Sequence, residues 1–184
     1  MKLKNLLLMS QFVTLPHLIG CGLQLDRVLN LPATVSSVDI QRYLGTWYEI
    51  AKYPVPFENG CYGVTAEYSL NDDGTVRVFN SCRDADGRVA RTIEGYARVE
   101  DTTSNAKLNV YFFGPFGAPY WIIDLDDDYQ WAVVSDPTRF TLWILSRTPT
   151  IDPDVYQGIL ARLTEKGYDT TRLELMPQFA PESP

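Results

Sequence analysis

Between Thr46 and Arg147 the chain repeats one pattern: short runs rich in β-branched and aromatic residues, alternating in polarity with a period of two and separated by turn chemistry. Eight runs can be read, near 46–54, 61–70, 75–83, 89–99, 106–113, 119–126, 130–136 and 140–147. Asn71-Asp72-Asp73-Gly74 and Asp84-Ala85-Asp86-Gly87 are hairpin turns whose glycine can take the left-handed position. Residues 101–105 and 126–128 are further polar corners, and 114–119, with two prolines, reads as a loop. Connections this short imply an antiparallel up-and-down meander. Eight twisted strands in that order close into a barrel that can hold one small ligand.

Such a barrel needs a plug at its closed end, and Trp47, at the start of the first run, is the largest apolar side chain available. Gly45 lets the backbone turn beneath it. A guanidinium from the last strand can lie across the indole face, an attraction of about 0.5–2 kcal/mol depending on desolvation, and Arg147 is placed to supply it. Residues 38–44 have spacing for one or two helical turns capping this end. After Arg147 the period changes. Asp152-Pro153 is a helix start, and Val155, Ile159, Leu160 and Leu163 make an apolar stripe that should pack on the barrel's outer wall. Residues 172–175 fit a short last strand, and the tail 177–184 is expected to be loose.

The length of 184 residues suits one core, assigned to a domain at 38–176. Asp and Glu outnumber Lys and Arg by 23 to 16, so no basic stripe exists to replace phosphate counterions and a nucleic-acid partner is excluded. Any membrane association must come from something other than charge. Residues 1–20 supply it: a basic start at Lys2 and Lys4, an apolar stretch too short and broken to span a bilayer, then Leu18-Ile19-Gly20-Cys21. That ending resembles a bacterial lipobox, which would make Cys21 the acylated first residue of the mature protein, with 21–37 as a tether. Gly rather than Asp at position 22 matches, by resemblance to bacterial sorting rules, the outer membrane. Several acyl chains on one Cys hold firmly, since each buried methylene contributes about 0.8 kcal/mol. Cleavage there removes His17, the chain's only histidine, and with it imidazole-based nucleophile activation and metal binding.

Gly45-Thr46-Trp47-Tyr48-Glu49-Ile50-Ala51, Val133-Val134-Ser135-Asp136-Pro137 and Leu145-Ser146-Arg147 resemble, in order, the three motifs of the lipocalins. The second departs from the common Thr-Asp-Tyr and keeps only Asp136. Phe112-Phe113-Gly114-Pro115-Phe116 and 142–149 look like the bacterial outer-membrane lipoprotein lipocalins and their apolipoprotein D-like relatives. The resemblance covers about 38–176. It implies an all-β, eight-stranded lipocalin barrel with an outer C-terminal helix, no cofactor, no metal and no catalytic residue. It also implies a fatty acid, phospholipid or lysophospholipid as ligand, in membrane upkeep. The assembly is expected to be a monomer or homodimer.

Strict alternation from Trp47 places Glu49, Ala51 and Tyr53 on the inner face. It adds Val64, Ala66 and Tyr68, then Val76, Val78 and Asn80, then Gly95, Ala97 and Val99, then Leu108, Val110 and Phe112. Tyr120, Ile122, Val133 and Trp143 complete the wall. Small residues at 51, 66, 95 and 97 argue for a hollow interior rather than a filled one. From these the expected ligand contacts are Glu49, Ala51, Tyr53, Val64, Ala66, Tyr68, Val78, Ala97, Val110, Phe112, Tyr120, Ile122 and Trp143.

Glu49 is the oddity, because a carboxylate in an apolar cup must be paired, bonded or protonated. One reading has it orient a polar head group with Tyr53 or Tyr68. The simpler reading makes it structural, bonded near the closed end, so that Glu49→Gln leaves affinity unchanged. Cys61 and Cys82 flank the first hairpin, and pairing of Leu70 with Thr75 leaves them two residues out of step. A bulge or an early strand end would bring them within disulfide range, two free thiols being the alternative. Competing functions are a lipid-modifying enzyme, with Glu49 or Asp124 as acid or base, and a protein-binding module using Phe113, Phe116 and Trp121.

Overall fold

The computed structural model describes residues 30–179; the leader, Cys21 and the tail beyond 179 lie outside the described residues. Strands β1 (Gly45–Lys52), β2 (Tyr62–Leu70), β3 (Val76–Arg83), β4 (Val89–Val99), β5 (Lys107–Phe113), β6 (Phe116–Leu125), β7 (Trp131–Ser135) and β8 (Leu142–Ser146) each pair antiparallel with the next. β1 pairs with both β2 and β8, which closes the ring. A short β9 (Glu174–Leu175) lies beside Ala51 and Lys52, beyond the point where β2 leaves β1.

β6 begins at Phe116, inside the stretch expected to be a loop. The turn is only Gly114-Pro115, and Pro119 pairs opposite Asn109. Pairing of β6 with β7 starts at Trp121, so 116–120 bond on the β5 side alone. A proline is tolerated in such an edge-like segment, where no neighbour needs its missing N–H.

Helix α1 (Ile40–Tyr43) crosses the closed end, its first turn capped by the Asp39 carboxylate, which accepts from the Gln41 and Arg42 N–H groups. The segment before it is less free than a tether. Pro32 is buried, the Val35 N–H donates to the Ile122 carbonyl (3.0 Å), and the Val38 N–H donates to Ser104 (2.7 Å). Helix α2 (Pro153–Glu165) starts on the Asp152 cap and buries Ile159 and Leu163 against the outer wall. Val155, counted in the apolar stripe, is exposed. Arg162 Nε lies 2.7 Å from Asp124 Oδ2, and Lys166 Nζ donates to the Ile123 carbonyl. Asp124 therefore fastens the helix instead of facing a ligand.

Two bulges decide which face a side chain takes. Between Glu49 and Ala51 the β1–β8 register slips, so Ala51 and Tyr53 turn outward and pack with Ile50, Ile144 and Leu163 under α2. Alternation placed both inside; one extra residue reverses the phase of everything after it. In β6 the slip lies between Ile122 and Asp124, so Ile123 and Asp124 both face the helix; β7 alternates without a break with Ala132 and Val134 inside, which puts Val133, expected inward, under the helix.

The tail is not loose as far as the structure describes it. The β1–β2 ladder ends at Tyr48 and Thr65, leaving the Glu49 and Val64 carbonyls without strand partners, and Gln178 Nε2 donates to both (2.6 and 3.0 Å). Pro177 accepts from the Gly63 N–H, and the Phe179 ring lies on Gly63 and Gly87.

Cys61 and Cys82 form a disulfide with Cα atoms 5.3 Å apart. Leu70 pairs with Val76 and the β2–β3 register slips between Tyr62 and Thr65, the irregularity that brings the sulfurs together. The bond closes a loop with a sequence separation of 21. In the chain-entropy model that contributes about 3 kcal/mol, so reduction should lower the urea unfolding free energy by roughly this amount. Unfolding with and without reductant, with mass confirming the thiols, checks it.

Candidate functional site

The closed end is built around Trp47, which is fully buried. Its indole Nε1 donates to the Tyr43 carbonyl (2.8 Å), and the Arg147 guanidinium lies 3.8 Å from its ring centroid. The same guanidinium donates to the carbonyls of Thr46 (3.0 Å), Arg42 (2.7 Å) and Tyr129 (3.2 Å), tying the last strand to α1, β1 and the β6–β7 turn. Gly45 has φ of 93°, a left-handed conformation that favours glycine, and lies directly beneath the Arg147 guanidinium. Asp136 organises the opposite end: its carboxylate accepts from the backbone and hydroxyl groups of Thr138 and Thr141, holding the β7–β8 loop. Burial pushes this carboxyl up, but the four donors outweigh it and hold it below its usual range.

Above Trp47, the hydroxyls of Tyr43 and Tyr68 both bond that of Tyr120 (2.9 and 3.0 Å). Burial raises all three phenols, Tyr68 to about 12, so they stay neutral. They form a satisfied polar floor. Beneath it a void of about 20 Å³ is lined by Leu44, Val76, Ala97, Leu108 and Ile122. Above it a cavity of about 520 Å³ opens toward the β1–β2, β3–β4 and β5–β6 loops. That volume is ordinary for a small-molecule site, about 300–1,000 Å³.

Val64, Ala66, Tyr68, Val78, Val110, Phe112, Tyr120 and Trp143 line this cavity, as does Glu49. Ala97 and Ile122 lie below the floor, while Ala51 and Tyr53 are outside the barrel. Of the small residues taken as signs of a hollow, Ala66 alone faces the large cavity. Gly95 is small for another reason: a Cβ there would sit 2.2 Å from the Tyr111 carbonyl oxygen. Phe57 and Phe113 extend the lining to the surface, and Phe113 and Phe116, at the β5–β6 tip, are largely exposed. Trp121 instead packs in the cluster under α2.

One wall is not greasy. Glu49, 3% exposed, faces Glu58 from a 3₁₀ turn at Pro56–Glu58. One Glu58 oxygen accepts from Trp143 Nε1 (3.3 Å), and the other sits 3.7 Å from Lys52 Nζ, beyond hydrogen-bond range. Burial and the neighbouring Glu58 charge push the Glu49 carboxyl far up, against the pull of Lys52. Burial raises Glu58 too, with Lys52 opposing it. Two carboxyls this close cannot both ionise cheaply, so the pair favours holding one proton between them. Sequence reading missed Glu58, because a residue in a connecting turn carries no strand period. Of the two tyrosines named with Glu49, Tyr68 lines the same cavity with its hydroxyl bonded to Tyr120, and Tyr53, outside the barrel, donates to the Asp169 carbonyl.

The Glu49 shift has a measurable sign. The folded state binds this proton at a pH where the unfolded chain, near 4.5, has released it. This group's contribution therefore declines as pH rises above about 4.5 and stays low above the folded value. Glu49→Gln should be more stable than the parent at pH 8, by about 1 kcal/mol or roughly 2–4 °C, with the gain gone at pH 4. Paired thermal scans at the two pH values measure it.

Residues 38–178 match the model of a lipocalin-like domain. The chain is 46% identical over 139 residues to the outer membrane lipoprotein Blc of Citrobacter freundii, covering 76% of this chain and 78% of that one. It is 39% identical over 154 residues to temperature-induced lipocalin-1 of Arabidopsis thaliana (78% and 81%), and 38% over 160 residues to apolipoprotein D of Bos taurus (83% and 84%). Among solved structures, insecticyanin of the tobacco hornworm Manduca sexta superposes with a TM-score of 0.64 at 22% identity, covering 80% of this chain and 84% of that one. Lobster apocrustacyanin A1 superposes with 0.61 at 20% identity (82% and 91%), a likeness of fold. With its closed barrel, stoppered base and outer helix, the chain belongs to the lipocalin family.

Proposed function

We propose that this protein is a carrier, not an enzyme, that shelters fatty acids, phospholipids or lysophospholipids in its calyx for upkeep of the outer membrane. It is tethered there through acylated Cys21, as monomer or homodimer. The observation that carries the reading is the cavity of about 520 Å³ whose mainly apolar lining reaches from the tyrosine floor to Phe57 and Phe113 at the mouth. An acyl chain entering it exchanges water for hydrocarbon along its whole path, at about 0.8 kcal/mol per methylene. The outer-membrane assignment rests on the outer membrane lipoproteins Blc that are 46% identical to this chain, and the anchor on the lipobox-like Leu18-Ile19-Gly20-Cys21.

A neutral fluorescent naphthylamine reporter tests the proposal by titration. Single-chain lipids of twelve or more carbons should displace it at one per protein, and lipid recovered afterwards should be chemically unchanged. Failure of every such lipid to displace it would overturn the reading.

A further inference from the structure

A polar subsite is set into the apolar calyx. Glu49 Oε1, Glu58 Oε2 and Asn80 Oδ1 are buried and accept from no donor of another residue, the two carboxyls having only the proton they share and Glu58 the 3.7 Å ion pair to Lys52. All three residues line the same cavity. A buried polar atom left unsatisfied costs about 1–3 kcal/mol, so a protein that keeps several on one wall gains when something fills them. The unfilled atoms share one property: each is an oxygen that accepts and, once the pair's own proton is placed between the two carboxyls, none has a proton left to give.

Cations in reach are already engaged. Lys52 lies between Glu58 and Glu174, 3.7 Å from each. Arg91, the cation among the described lining residues, donates to the carbonyls of Phe57 (3.4 Å) and Asn59 (2.8 Å), which holds the β1–β2 loop in place. Among the described lining residues no second cation stands beside Arg91. A carboxylate head brought against Glu49 and Glu58 would set a second negative charge beside the one the pair already carries, in a low-dielectric cup.

We propose that Glu49 and Glu58, aided by Asn80, form a head-group subsite that takes a hydrogen-bond donor, a hydroxyl or a primary ammonium, and disfavours an ionised carboxylate. This rests on the carrier reading and narrows it to single-chain amphiphiles with a donor next to the chain. A hydroxyl donates to a carboxyl oxygen without disturbing the shared proton. An ammonium displaces that proton to solvent and takes its place between the two carboxylates, so that charge balances.

The test compares three probes with one tail: 1-dodecanol, dodecylammonium and dodecanoate, each below its aggregation limit, displacing the naphthylamine reporter from the full-length protein at pH 7.5. The alcohol and the ammonium should bind at least tenfold more tightly than the carboxylate. In Glu49→Gln/Glu58→Gln the advantage should shrink to under threefold, with the reporter still bound and thermal scans verifying the fold. Should the double variant fail to fold, Glu58→Gln alone is read for the same loss. Dodecanoate binding as well as the other two, or an advantage that survives the substitutions, overturns the inference while leaving the carrier function standing. Failure of all three probes, with the reporter also unbound, removes the carrier function and this subsite with it.

Discussion

Trp47→Ala should lower the unfolding free energy by about 3–5 kcal/mol in urea titrations. For a domain whose whole stability is of order 5–15 kcal/mol, that is a large share. The magnitude follows from three losses at one position. A fully buried indole leaves a void over the closed end; the Tyr43 carbonyl loses its donor; and the Arg147 guanidinium, 3.8 Å from the ring, loses the face it covers. Arg147 would keep its three carbonyls, so the cap should loosen without coming apart. Trp47→Phe keeps most of the apolar plug and should cost clearly less. A loss below 1 kcal/mol for the alanine variant would mean that the stopper is incidental to the fold.

The second large effect is on binding. Ala66 stands on the cavity wall opposite Asn80 in the β2–β3 ladder and next to Trp47 across β1, its methyl group facing open space. Ala66→Trp should fill the lower part of the calyx and weaken reporter and lipid binding by at least a hundredfold. The melting temperature should stay within a few degrees, because a wall residue facing a void can grow without displacing packed neighbours. Displacement titration and thermal scans together check this. Unchanged affinity would place the ligand somewhere other than this cavity.

Most of the barrel could be read from the chain because strands with one buried face must alternate, and turn glycines punctuate them. The Trp47 and Arg147 contact was legible for a related reason: a rolled sheet brings its first and last strands together, so residues a hundred positions apart meet. What the pattern concealed lies where the period breaks. Ala51 and Tyr53 follow a bulge, which leaves no mark in the pattern, and Val133 sits between Ala132 and Val134 in a run apolar on both faces, where alternation has no phase to read. Cys61 and Cys82 were within reach of register arithmetic only if an irregularity was allowed, and the slip between Tyr62 and Thr65 is that irregularity. Glu58 and Gln178 belong to segments without period. Their roles depend on which carbonyls and carboxyls the barrel leaves unsatisfied, and that is known only once the ladders are in place.

The central claim is that the cup holds a lipid. Native mass spectrometry of the full-length protein, released gently from its own membrane, weighs whatever travels with it. The account predicts an added mass equal to one acyl-bearing lipid, lost on collisional activation and reduced in Ala66→Trp. Repeated recovery of the protein with nothing bound, in preparations that also ignore the naphthylamine reporter, would contradict it.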